Sequence, residues 1–109
     1  MDDWGRDPSV RAMRRIFKEM EKSKNEVLER LGISPFDLRI RAWLEKALAA
    51  FERSWRFADQ MGVAMDDKKA ASIYAHCFLK VIGTEGIEIP EGLVPEDRET
   101  ETLLNEVFK

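Results

Sequence analysis

The chain has 109 residues, 44% of them hydrophobic and 36% charged, with a net charge of −3. Those values describe one globular domain of ordinary size and exclude both a disordered chain and a strongly polycationic one. A single cysteine excludes an internal disulfide framework.

The opening MDDWGRDPS is acidic and lacks the apolar core of a secretory signal. No apolar run approaches the roughly 18 residues of a bilayer span, so a cytoplasmic location with no membrane partner is expected. Charge is uneven, with residues 1–82 at net +3 and residues 83–109 at net −6. Such an acidic tail either folds back on a mildly basic body or shields a basic face from polyanions.

Asp7 and Pro8 suit the N-cap and first position of a helix. Beyond them Val10, Met13, Phe17, Met20, Val27, Leu28 and Leu31 recur at helical spacing, predicting a first helix over 8–31. Gly32 stops it, with Ile33 folding back on Leu28 in a Schellman arrangement. In SPFD, Ser34 reads as a cap, Pro35 as a first-turn residue and Asp37 as the far member of a capping-box-like pair. That predicts a second helix over 35–61 with Gly62 as its stop. Asp66 and Asp67 suit the electropositive start of a third helix over 66–82. Residues 84–95, TEGIEIPEGLVP, form a connector whose Ile87, Ile89, Leu93 and Val94 should lie along the body. A short fourth helix over 96–108 carries acids in its first turns and buries Leu103, Leu104, Val107 and Phe108. The expected fold is therefore all-α and a single domain over 1–109. It is a helical bundle of two long antiparallel helices, a strongly apolar third helix and a short acidic C-terminal helix.

The second helix is crowded with rings. At about 100° per residue, its apolar arc is about 180° wide. Ala47, Ala50, Ser54 and Ala58 form a small-residue ridge that admits a close neighbour, and Leu44, Leu48, Phe51 and Trp55 form a bulky ridge facing a second one. The third helix is apolar over roughly 240° of its circumference. Three helices and one short segment offer it little cover, so a second copy of the chain, or another protein, is expected to supply the rest. The residues expected at that interface are Trp43, Phe57, Met61, Phe78, Leu79 and Ile82.

Chemistry-bearing patterns are sparse. His76 and Cys77 are the sole imidazole and thiol, and adjacent residues diverge by about 100° on a helix. One histidine cannot supply the paired Glu-x-x-His units of a di-iron bundle, and the chain lacks a zinc ligand set and a glycine-rich phosphate loop. Neither an enzyme, a cofactor, a metal nor a small-molecule substrate is expected. Arg11, Arg14, Lys18 and Lys22, with Arg15 beside them, make a basic ridge on the first helix, near the end where its dipole favours anions. That ridge could bind phosphate or an acidic protein surface, the acidic tail of a second copy included. Lys24 falls within the apolar stripe.

Two short stretches carry resemblances. ALAAFERSW resembles the second helix of a tetratricopeptide repeat in its Ala47-x3-Phe51 spacing. FADQMGV resembles a helix-turn-helix, with Ala58 and Gly62 at the turn and Phe57, Met61 and Val63 at its apolar positions. It departs from that motif in Lys68, at a buried position, and in Asp66 and Asp67, which would face DNA phosphates. The expectation from sequence is a non-enzymatic, self-associating protein–protein interaction module acting as a regulatory or assembly subunit. The alternative is a nucleic-acid-binding helical module using the basic ridge or the degenerate helix-turn-helix.

Overall fold

Four helices and no strand occupy the described residues of the computed structural model, which cover the backbone of 8–108 and the side chains from Met13 to Phe108. In chain order they are α1 (Pro8–Leu31), α2 (Ile40–Gln60), α3 (Asp67–Thr84) and α4 (Arg98–Val107). The N-cap expected at Asp7 lies outside the described residues. No helix among them is long and apolar enough to cross a membrane.

The helix ends follow their local chemistry. Gly32 adopts φ +68° and the Ile33 N–H donates to the Leu28 carbonyl at 2.9 Å, which closes α1 in the Schellman geometry. Gly62 at φ +75°, with the Val63 N–H donating to the Ala58 carbonyl at 2.9 Å, closes α2 in the same way. Asp66 caps α3 by accepting the Lys69 N–H at 2.7 Å. This helix runs on through Gly83 to Thr84, two residues past the expected end.

The start of α2 differs from expectation: the helix begins at Ile40, not Pro35. Side-chain oxygens compete here for the backbone donors a helix would use. Ser34 Oγ accepts the Phe36 N–H at 3.2 Å, and Asp37 Oδ1 accepts the Arg39 N–H at 2.9 Å. Residues 34–39 therefore form two successive turns. The Arg39 guanidinium then folds back on Asp37 and lies 5.0 Å from the centre of the Trp43 ring.

α3 is the hub. It packs against α1, α2 and α4, whereas no Cα of α1 comes within 8 Å of α2. The backbones of the two long helices are thus joined through α3 and stand apart from each other. Small residues set both contacts. Val27 of α1 and Ala71 and Ala75 of α3 line one cleft between those helices, and the buried ridge Ala47, Ala50, Ser54 and Ala58 turns α2 toward α3. Ser54 Oγ donates to the Ala50 carbonyl at 2.7 Å and lies 3.9 Å from Cys77 Sγ.

This hub corrects the reading that α3 outruns the cover available within one chain. Phe78, Ile82, Ile73 and Cys77 are fully buried, and Leu79 is half-buried against the same core. The missing cover comes from α4 and from the connector. Leu93 is buried, Ile87, Ile89 and Val94 pack on the core, and Arg30 of α1 donates to the Leu93 carbonyl at 2.6 Å.

α4 is fastened through its N-cap, Asp97, and begins at Arg98, not Glu96. The Asp97 carboxylate accepts the Thr100 N–H at 3.1 Å, the Thr100 hydroxyl at 2.7 Å, the Ser72 hydroxyl at 3.0 Å and Lys69 Nζ at 3.1 Å. Glu99 adds a second contact to Lys69, at 2.8 Å. Within the chain, these two acids of the tail are therefore drawn to Lys69 of α3.

Candidate interaction surface

The gap left between α1 and α2 is an open apolar groove of about 230 Å³. Met13, Ile16 and Phe17 of α1 line one wall, and Leu48, Phe51, Glu52 and Trp55 of α2 line the other. Its floor is aromatic. Phe51 meets Trp55 edge-to-face at 5.6 Å and Tyr74 of α3 edge-to-face at 5.9 Å. Its walls are wet: Met13 is 53% exposed and Phe17 54%, with Leu48 exposed and Trp55 half-buried.

The groove exists because both flanking helices are pulled onto α3 by small residues, which leaves the outer half of each apolar arc uncovered. Around α1, the side facing α3 and the connector carries Glu19, Ser23, Glu26 and Arg30. The opposite edge, beyond Phe17, carries Arg14 and Lys18, both exposed. Around α2, the residues just beyond Leu48 and Trp55 are Glu45, Glu52 and Asp59, aligned seven apart, with Arg41 on the same edge one turn before Glu45 and all four exposed. One rim is basic and the other acidic. Glu21, also on the α1 side, is tied to Lys24 at 2.6 Å, and Arg56 stands one step further round α2 than Glu52. Lys24 thereby reaches solvent from the apolar stripe with its side chain only 12% exposed.

The residues expected at an interface are dispersed. Trp43, Phe78 and Ile82 belong to the core of the single chain, so they offer nothing to a partner in this fold. Phe57 and Leu79 are half-buried against that core. Met61 is exposed beside a separate hollow of about 260 Å³ shared with Val63, Ile73 and Leu103. The groove residues Met13, Phe17, Leu48 and Trp55 were not singled out, although Leu48 and Trp55 belong to the bulky ridge read as facing a second neighbour. Among the described residues no neighbour covers their outer side.

In the basic set, Arg14, Arg15, Lys18 and Lys22 are exposed and form no ion pair with a described residue, while the Arg11 side chain lies outside the described residues. At the opposite end of α2, the 34–39 turn holds Phe36 87% exposed and Leu38 94% exposed. Arg39, through its side-chain hydrogen bonds, holds the Asp37 carboxyl down at about 2.

A larger cleft of about 640 Å³ lies between α1, α3 and residues 92–97. His76 borders it, with Nδ1 2.7 Å from the Ser72 carbonyl. A carbonyl only accepts, so Nδ1 carries a proton there and Nε2 is the nitrogen left for another partner. Cys77 faces away, toward Ser54, and burial pushes its thiol up to about 12. A thiol so far from ionisation is a poor nucleophile. No group of three His, Cys, Asp or Glu side chains suited to a metal ion occurs among the described residues. No family model matches this chain, and neither does any curated protein or solved structure.

Proposed function

We propose that this protein is a self-associating helical interaction module whose docking surface is the α1–α2 groove. The observation that carries the reading is the row of Met13, Phe17, Leu48 and Trp55, left partly in water over an aromatic floor. Apolar surface gathered in one concave strip, and not scattered singly, marks a binding site. Covering a half-exposed side chain of this kind is worth about 1 kcal/mol. Four such residues on each of two copies therefore offset an association cost of roughly 4–15 kcal/mol only near its lower end. The balance at that end is about −4 kcal/mol, a reversible dimer with a dissociation constant near millimolar, and a regulatory or assembly role suits such exchange.

Sedimentation equilibrium from about 10 μM to 2 mM tests it, a range that reaches across that affinity. The wild type is expected to pass from monomer to dimer, and Phe17→Glu to remain monomeric while keeping its helical circular dichroism. A wild type that stays monomeric throughout would sink the reading.

A second reading has one observation in its favour, the exposed run of Arg14, Arg15, Lys18 and Lys22, which forms no ion pair with a described residue. In it the ridge binds nucleic-acid phosphates. Under this reading, an oligonucleotide mobility shift should weaken steeply with salt and disappear in the triple variant Arg14→Ala, Lys18→Ala, Lys22→Ala. A shift that survives the triple variant removes this second reading.

A further inference from the structure

The occupant of the groove can be specified further, on the basis of the reading above. We infer that a second copy of this chain docks face to face, related by a two-fold axis running along the groove, so that α1 of each copy lies over α2 of the other. The argument comes from the charge on the two rims. A groove has two in-plane directions along which a two-fold axis can close a symmetric pair. An axis across the groove stacks α1 on α1 and α2 on α2, which sets Arg14 and Lys18 against their own copies and Glu52 against its own. An axis along the groove exchanges the walls and sets the basic rim of each copy against the acidic rim of the other.

The register agrees. A rotation about the groove axis leaves height along the groove unchanged, so residues that share a level within one chain face each other between chains. Met13, Phe17, Leu48, Glu52 and Trp55 line one cavity and so share a level. Arg14 and Lys18 flank Phe17 on its own turn of helix and are brought to the level of the partner's Glu52. The apolar strip then meets itself along the axis, and each contact is made twice. Arg41, Arg56 and Glu21 temper the rims without reversing them, since Arg41 stands about two turns before the cavity, Glu21 already holds Lys24 and Arg56 lies further from the groove than Glu52. Oppositely charged rims on an apolar strip make the surface its own complement, and their main effect is on orientation and choice of partner.

A charge-swap experiment tests the arrangement. Variant one carries Arg14→Glu and Lys18→Glu, and variant two carries Glu52→Arg and Asp59→Arg. Each alone is expected to dimerise about tenfold more weakly than the wild type, and an equimolar mixture to recover a heterodimer within a few-fold of wild-type affinity. Circular dichroism establishes that both variants are folded. In a second measurement, Lys18→Cys and Glu52→Cys chains are mixed under mild oxidation, where the buried native Cys77 is protected. The expected product is the mixed cross-linked pair.

Each outcome has a consequence. If the wild type is monomeric at about 2 mM, the groove reading and this inference fall together. If Phe17→Glu dissolves the dimer while neither charge variant changes it, the groove reading stands and this arrangement falls. A Lys18→Cys chain that cross-links to itself, or two weakened variants that do not recover when mixed, also overturns the arrangement.

Discussion

Replacing Phe78 with alanine is expected to lower the unfolding free energy by about 3–5 kcal/mol. Phe78 lies on the hub helix, is fully buried, and stacks 6.5 Å from the Tyr74 ring. Removing its ring leaves a cavity among residues that cannot close in, because the alanines of α2 and α3 already hold the backbones close. For a domain whose total stability is of order 5–15 kcal/mol, that is a large fraction. Urea denaturation followed by circular dichroism gives the value. The same variant separates core from interface. A core residue shifts the midpoint at a protein concentration where the chain is monomeric. An interface residue would leave the monomer's midpoint alone and change only its dependence on concentration.

Asp97→Ala is expected to cost about 2–3 kcal/mol, because it removes a helix cap and strips partners from Lys69, Ser72 and Thr100 together. Burial on its own would raise this carboxyl. The hydrogen bonds from Thr100, Lys69 and Ser72 outweigh it and hold the group well below the ordinary carboxylate range. The sign of the pH dependence follows. A group whose folded pKa is depressed contributes its full stability above its unfolded pKa of about 3.9, and loses it as pH falls toward the folded value. Acid titration of stability should therefore be steeper in the wild type than in Asp97→Asn below about pH 5. Equal acid slopes in the two proteins would show that Asp97 is not held in this way.

Much of the fold could be read from the residues because its signals are local. A glycine that takes a left-handed conformation, with an apolar residue behind it, ends α1 and α2 where Gly32 and Gly62 stand. Asp66 caps α3 as its spacing implies, and the ridge of Ala47, Ala50, Ser54 and Ala58 does receive a close neighbour. The start of α2 was misplaced because SPFD can close a helix cap or a pair of turns with the same oxygens, and Arg39 tips the balance toward turns. The candidate site was less legible for a different reason. Periodicity gives the width of an apolar arc but not which part of it a neighbour covers. Trp43 and Phe78 look like surplus on a helical projection and are core in three dimensions. Phe17 looks like core and is half in water. That distinction depends on how far apart α1 and α2 stand, a distance set by residues on a third helix.

The order in which the chain emerges during synthesis gives that third helix a further consequence. After 60 residues have left the ribosome, α1 and α2 are both available, yet in the finished fold neither has a backbone within 8 Å of the other to close upon. Their apolar faces are completed only when residues 67–84 follow. Native burial of the faces that α1 and α2 turn toward α3 must therefore wait for that third segment.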